Sequence, residues 1–290
     1  RYYFYFKQNG TVSGRYGSDA QQLPKPLEEG QDAPILMKYT NIVRAFLVAG
    51  EGRKVIDADY ESLEPHCFAS VSGDAKLQEI FNNGWDFYSY VAIQTEKMNE
   101  QVDRFPNGVS ADKKADNYLK KLDVVARNKA KAYSLGVAYG MEAFALKMSL
   151  DVDQKTAEGL IKGYLDGFPG LAKWRENSRR QVKDNGFIKN YVGRVRHLPR
   201  VKKIYSKFGD RMMDWRFRKS LEPQFGKDEV MKVYRDYRNG LNNCLNFQLQ
   251  SLAAAVVNRA AVKINRKAKE LGIDAICQAQ VHDQLIINVA

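Results

Sequence analysis

An α+β fold follows from three observations on the 290-residue sequence. Strand-like apolar segments lie towards both ends, at Lys54–Tyr60 and Ile276–Val289. Helical periodicity is almost unbroken from Asp74 to about Asn185. A second helical run, Asn242–Leu271, leads into the last strands. Strands so far apart predict one sheet assembled from both regions, with a helical insertion between them.

Each element has a local reason. Residues 1–26 read as a strand followed by a loop rich in Gly, Ser and Pro. Val43–Leu47 and Lys54–Tyr60 read as short strands divided by the turn Gly50-Glu51-Gly52. The spacing predicts helices over 74–82, 86–98, 112–121, 123–137, 141–149, 153–167 and 169–185, with Pro169 well placed at a helix start. Phe187–Leu198 reads as strand, Gly-Arg turn, strand. Residues 202–240, dense in charge and aromatics, read as helical insertions. One helix covers Asn242–Leu271, and Gly272 suits its C-terminal cap. Ile276–Val281 and Gln284–Val289 form a hairpin with His282-Asp283 at its tip.

At 44% hydrophobic and 28% charged residues the chain can bury an ordinary core. No apolar run is long enough for a membrane. Three scattered cysteines, Cys67, Cys244 and Cys277, argue against a disulfide framework or zinc site and favour a reducing compartment. The net charge of +12 suits a phosphate backbone as partner, although a basic protein with no nucleic-acid role is equally compatible with charge alone. The sequence starts at Arg1 without a signal peptide and stops on a strand, so it reads as part of a longer protein or as a chain with missing segments.

Two aspartates carry the chemical argument. Asp59 closes the strand Lys54–Tyr60, where a lone acid more often simply begins a turn. Asp283 sits at a hairpin tip where Asn-Gly or Asp-Gly would be the better turn chemistry, and a broken local rule points to function. Between them, Arg127, Lys131, Leu135 and Tyr139 recur every four residues and so form one slowly drifting helical stripe. A cation row with an aromatic end suits a triphosphate, and a solvated basic face has the same pattern. Two acids able to share metal ions, with cations for a polyphosphate, are what nucleotidyl transfer requires. Asn242, Asn246 and Gln250 share a face of the long helix, suited to minor-groove acceptors or to interhelical hydrogen bonds. Arg15 follows a flexible turn and is in reach of a groove, or sits in a plain loop.

In order along nearly the whole chain, these motifs resemble the polymerase module of family A DNA polymerases. Thr11-Val12-Ser13-Gly14-Arg15 with Gln22-Leu23-Pro24 resembles the family's Thr-Gly-Arg … Leu-Gln-x-x-Pro segment, and Val43-Arg44-Ala45-Phe46 its strand entering the palm. Asp59-Tyr60-Glu61-Ser62-Leu63-Glu64 is similar to its first metal motif, and Val281-His282-Asp283 to the second. Arg127-x-x-x-Lys131-x-x-x-Leu135-Gly136-x-x-Tyr139-Gly140 resembles the nucleotide helix of the fingers, here 123–139. Gly193-Arg194 with Leu198-Pro199, and Asn246-x-x-x-Gln250-Ser251-x-Ala253-Ala254, complete the series.

The resemblance implies a right-hand palm, an antiparallel sheet with helices on one face, plus mostly helical fingers, with the thumb absent or incomplete. Its boundaries would be palm 1–73, fingers 74–186, and palm 187–290 with an insertion at about 202–240. It implies two Mg2+ ions, with Mn2+ as a substitute, held by Asp59, Asp283 and the Tyr60 carbonyl. Asp59, Asp283 and Lys131 would be catalytic. Arg127, Lys131, Leu135, Tyr139 and Glu64 would bind the nucleotide, with Glu64 crowding the sugar 2′ position. Arg15, Asn246, Gln250 and His282 would touch primer–template DNA. Deoxynucleoside triphosphates would be substrates, and a processivity factor or replisome proteins further partners, in a cytoplasm, that of a host if the protein is viral. The chain departs from the pattern at Leu135 (usually Phe or Tyr), Gln284 (Glu), Asn242 (Arg) and His66 (Arg). The long insertion and Ser62-Leu63-Glu64-Pro65 suggest a bacteriophage-type member.

Two rivals remain at this level. A single-subunit RNA polymerase would share the layout, but should carry a small residue where Glu64 stands. A catalytically inactive DNA-binding palm would have lost the aspartates, Arg127 and Lys131.

Overall fold

The structure, a computed structural model, describes residues 6–7, 10–17 and 49–290. The expected strand Val43–Leu47, the Gln22-Leu23-Pro24 segment and most of the 1–26 strand and loop lie outside them. Within 10–17 a turn at Gly14 (φ 78°) closes with Thr11 Oγ1 donating to the Arg15 carbonyl at 2.7 Å. The chain divides into two compact units, residues 1–63 with 250–290, and residues 64–249.

The first unit contains a three-stranded antiparallel sheet, order β1-β5-β4. Its strands are β1 (Lys54–Asp59), β4 (Ala275–Val281) and β5 (Gln284–Val289). Strand alternation sends Leu285 and Ile287 of β5 into the core, and leaves Gln284 on the opposite face. The Arg53 guanidinium grips both Asp274 oxygens (2.6 and 3.0 Å), and its Nε donates to Asn288 on β5. Asn288 in turn donates to Gln278 in the bulge of β4 at 3.1 Å. Four side chains therefore tie the base of the sheet across all its strands.

The second unit is mostly helical. Its helices are α1 (Leu63–Ser72), α2 (Ala75–Asn82), α3 (Phe87–Thr95), α4 (Leu119–Leu122), α5 (Val124–Ala138), α6 (Ala143–Leu150), α7 (Gln154–Gly167) and α8 (Pro169–Asn185). The two-stranded ribbon of β2 (Phe187–Lys189) and β3 (Val195–His197) follows, then α9 (Pro199–Phe208) and α10 (Trp215–Phe225). The long helix α11 (Lys227–Glu270) gives its first part to this unit and its last part to the other. The α11 C-terminus forms a Schellman cap. Ile273 N–H reaches the Ala268 carbonyl and Gly272 N–H that of Lys269, with Gly272 at φ 66°.

One buried carboxylate organises two helix starts. Asp74 Oδ1 accepts from the N–H groups of Lys76 and Leu77 at the head of α2 (3.0 and 3.1 Å). Its Oδ2 accepts from Gly170 and Leu171 at the head of α8 (2.7 and 3.2 Å). Gly170 is glycine because a Cβ there would lie 2.7 Å from the Asp74 Cα.

Three sequence expectations are corrected. The helix predicted over 112–121 is only α4, Leu119–Leu122. Asp112 instead accepts from the Lys114 N–H and the loop closes through Ser110 with Asn117 and Leu119, the local competition that short polar side chains offer a helix. The helix 86–98 ends at Thr95, where Lys97 turns to φ 48° and a 3-10 turn follows at Met98–Glu100. The final helix begins at Lys227, not Asn242. Gly240 does not break it; a Cβ there would lie 2.2 Å from Val201 Cγ2, so this glycine lets α9 pack against α11. Helix α1 was not expected at all. Its Pro65 falls in the first turn, where the missing N–H costs no hydrogen bond.

Asp74→Ala removes two caps at once and is expected to lower the unfolding free energy by about 2–3 kcal/mol. Urea denaturation measures it, and a loss under about 0.5 kcal/mol would show that the shared cap contributes little.

Candidate polymerase site

In the first unit the strand register does what the sequence separation hides. β1 pairs with β5 so that Asp59 lies opposite Gln284, the residue after Asp283. Cα atoms so paired are about 4.5–5.5 Å apart, so Asp59 and Asp283 occupy neighbouring positions at one end of the sheet. Asp57 shares the Asp59 face by the two-residue period. Gln284 Nε2 donates to both Asp57 oxygens, at 2.7 and 2.6 Å. The amide at 284 thereby satisfies an acid that a Glu would repel. Sequence reasoning passed over Asp57, although its spacing from Asp59 places both on one face.

The hairpin tip is a two-residue turn, since Val281 pairs with Gln284. His282 carries φ 56° and Asp283 does not adopt positive φ. Positive φ at the first turn residue alone is the sign pattern of a type II′ turn, which normally takes Gly there. His282 is exposed and Asp283 half-buried. The strained histidine sits where the rule-breaking His-Asp pair predicted function. Tyr60 follows β1 directly, and Arg15 and Gln250 belong to the same unit. Among the described residues, no group of three or more His, Cys, Asp or Glu side chains is placed to hold a metal. Two carboxylates and a backbone carbonyl would make a hard-oxygen donor set of the kind that a divalent cation such as Mg2+ accepts.

In the second unit the nucleotide-helix motif lies on α5. Asp123 caps it, accepting from Ala126 N–H at 2.9 Å. Ala126, Ala130, Tyr133 and Val137 form the buried side. Arg127 and Lys131 lie on the adjoining stripe, with Lys131 exposed. Lys131 Nζ lies 5.8 Å from the Tyr88 ring, and the Arg127 guanidinium 5.3 Å from the same ring. At the end of the stripe the Tyr139 hydroxyl donates to Glu64 Oε2 at 2.6 Å, and its ring packs 5.5 Å from Phe68. Two residues predicted for the sugar and base end of a nucleotide are thus joined. Leu135, half-buried, occupies the same stripe between them and Lys131. Gly140 follows at φ 98°; a Cβ would meet Asn242 Oδ1 at 2.3 Å and Arg179 Nη2 at 2.7 Å.

Arg127 is not a solvated cation. Its Nε and Nη2 donate to the two oxygens of buried Asp86 at 2.7 and 3.2 Å. Asp86 also accepts from Ser89 (2.6 Å) and Tyr118 (3.0 Å). Burial works to raise the Asp86 pKa, but the hydrogen bonds from Arg127 and Ser89 and the charge of Arg127 hold it below the usual carboxylate range.

The three amides of α11 separate. Asn242 accepts from Arg179 at 2.9 Å, an interhelical bond. Asn246 keeps a buried side-chain oxygen without a hydrogen-bond partner among the described residues. Gln250 falls in the other unit. His66 stacks 3.9 Å from Phe81.

The sequence matches the family described as DNA polymerase family A over residues 1–290. The chain belongs to that family. DNA polymerase I of Pseudomonas aeruginosa is 27% identical over 284 residues, 98% of this chain and 25% of the relative. The thermostable DNA polymerase I of Thermus filiformis is 26% identical over 285 residues, 98% of this chain and 27% of the relative. This family A chain therefore spans about a quarter of the length of the curated relatives it matches. A solved structure, the POL domain of Pol1 from M. smegmatis in complex with DNA primer-template and dNTP, matches with a TM-score of 0.73 and 24% identity. The match covers 100% of this chain and 42% of that one, and it shows the α+β polymerase fold.

Arg127→Met should destabilise the protein by about 3 kcal/mol at neutral pH, because it strands a buried carboxylate. A depressed carboxylate pKa stabilises above the unfolded value of about 3.9, and that contribution is lost as pH falls through the folded value. The gap between parent and variant should accordingly narrow in acid. Chemical denaturation at several pH values measures this, and a gap constant with pH would contradict it.

Proposed function

We propose that this family A chain carries the catalytic centre of a template-directed DNA polymerase, which joins the α-phosphate of a deoxynucleoside triphosphate to a primer 3′-hydroxyl and releases pyrophosphate. The observation that carries the reading is the register of β1 on β5, which sets Asp59 beside Asp283 although more than two hundred residues separate them. In this reading the unit with residues 1–63 and 250–290 belongs to the palm, and the 74–186 helices to the fingers.

Two Mg2+ ions, or Mn2+ in their place, held by Asp59, Asp283 and the Tyr60 carbonyl, would supply Lewis acidity to the 3′-hydroxyl and the triphosphate. The chain's own residues do the rest. Exposed Lys131 offers a cation to the phosphates and a proton to the leaving pyrophosphate. Arg127 adds charge for the outer phosphates, its fork held in place by Asp86. The Tyr139 hydrogen bond fixes Glu64 where its bulk and charge reject a ribose 2′-hydroxyl. Leu135 gives the incoming nucleotide an aliphatic surface. Arg15, Asn246, Gln250 and His282 are assigned to primer–template DNA. The net charge of +12 fits a polyanionic partner. No described helix is long and apolar enough to cross a membrane. We assign the protein to a cytoplasm, as a bacteriophage-type member working with replisome proteins.

Asp283→Ala is expected to reduce primer extension by at least about a thousandfold, with primer–template affinity within a few-fold of the parent. Extension at the parental rate would reject the assignment. Glu64→Ala should raise ribonucleotide incorporation relative to deoxynucleotide by about tenfold or more. Single-nucleotide insertion assays measure the ratio, and an unchanged value would remove Glu64 from sugar selection.

A further inference from the structure

Two cavities in the larger unit share three wall residues, Leu165 of α7 and Arg175 and Arg179 of α8. The cavity of about 490 Å3 is balanced, since Arg175, Arg179 and Lys162 face Glu142, Glu158 and Asp166. The cavity of about 430 Å3 is not. Arg175, Arg179, Arg180 and Lys183 line it against Glu176 and Asp210. Asp210 is already engaged, by Lys183 at 2.6 Å and the Tyr237 hydroxyl at 2.9 Å.

Arg175 is the unusual member. It is 9% exposed, its buried Nε has no hydrogen-bond partner, and no carboxylate pairs with it among the described residues. Burial, and then the neighbouring Arg179, push its pKa down to about 10, so it remains charged at neutral pH. The Arg179 Nε is likewise buried without a partner, while one of its Nη groups donates to Asn242. A guanidinium buried without a counter-charge is strongly unfavourable. A Met at 175 would fill the same space without a charge. Two such forks on successive turns of one helix, opening on a cavity with surplus positive charge, match an oxyanion that takes several charge-assisted hydrogen bonds. The volume suits a group from phosphate to mononucleotide size. Tyr205, with Lys183 Nζ 5.3 Å from its ring, forms an aromatic wall.

We propose that the pocket beside α8 is a binding site for a phosphoryl oxyanion of about pyrophosphate size, held by Arg175 and Arg179 with Arg180 completing the charge match. No residue of α5 lines it, so it is separate from the Arg127 and Lys131 stripe. Its existence does not depend on the polymerase reading. The same oxyanion chemistry is carried by free pyrophosphate and by a nucleic-acid backbone.

The test is a calorimetric titration of the protein with inorganic pyrophosphate, at low salt and without metal or primer–template. Parent and Lys131→Ala should both show saturable binding, whereas Arg175→Met should bind about tenfold or more weakly. Without pyrophosphate, Arg175→Met should melt at or above the parental temperature, because an unpaired buried charge is gone. Arg180→Ala, on the exposed wall, should weaken binding several-fold and keeps the test open if Arg175→Met does not fold. A short single-stranded oligonucleotide that competes in the parent identifies the strand's phosphates as the ligand, and absence of competition identifies the free anion. Parental affinity in Arg175→Met, or in Arg180→Ala when the first variant does not fold, overturns the proposal. Loss of binding in Lys131→Ala alone also overturns it, by assigning the pyrophosphate to α5.

Discussion

The register of β1 against β5 is the constraint on which the candidate centre rests. Strand side chains alternate with a period of two, so a slip of one residue would turn Asp57 and Asp59 to the face that buries Leu285 and Ile287. Several devices hold the register. Core-facing Leu285 and Ile287 set it from one side, and the Gln284–Asp57 bond sets it from the other. At the far end, Arg53 grips Asp274 and reaches Asn288. Asp274 is held below the ordinary carboxylate range by the hydrogen bond from Arg53, against a small opposing effect of burial. The two-residue turn fixes β4 against β5 in the same way, and with it the position of Asp283.

The second unit solves a different problem, presenting cations from a helix that must also pack. On α5 the small Ala126 and Ala130, with Tyr133, let it sit close to α3, where Thr95 and Tyr133 share a hydrogen bond. The polar stripe is then ordered by partners from outside the helix. Asp86 holds Arg127 and Glu64 holds Tyr139, and Lys131 between them stays exposed. Preorganised donors lose less entropy on meeting a phosphate than flexible ones. Asp86 thus carries both stability and positioning.

Much of this was legible in the sequence. Pro169 at a helix start, Gly272 at a helix end and the apolar run in Gln284–Val289 each carry their own signal, and the structure puts the elements there. Arg127 and Lys131 on one stripe followed from spacing, but their surroundings did not. Nothing local announces that Asp86 lies against Arg127, or that Asp57 bonds Gln284, because both pairs form across long sequence distances. Residues 112–118 misled because Asp112, Lys113 and Lys114 have helix-compatible polarity, whereas Asp112 bonds its own backbone neighbour. Nor does the sequence show that Gly240 lies inside α11 with Val201 packed against it. The unpaired Arg175 was invisible for a simpler reason. Burial of a single arginine on a helix rich in Arg and Lys cannot be read from periodicity.

The strand order β1-β5-β4 also sets a timetable for synthesis. The middle strand of the acidic sheet is the one the ribosome makes after both its neighbours. While β5 is still inside the exit tunnel, β1 and β4 have no mutual partner and both offer open backbone edges. The aspartate pair can thus form only once β5 has emerged, and β1 and β4 lack the strand that joins them until then, the stage at which a chaperone would have most to shield.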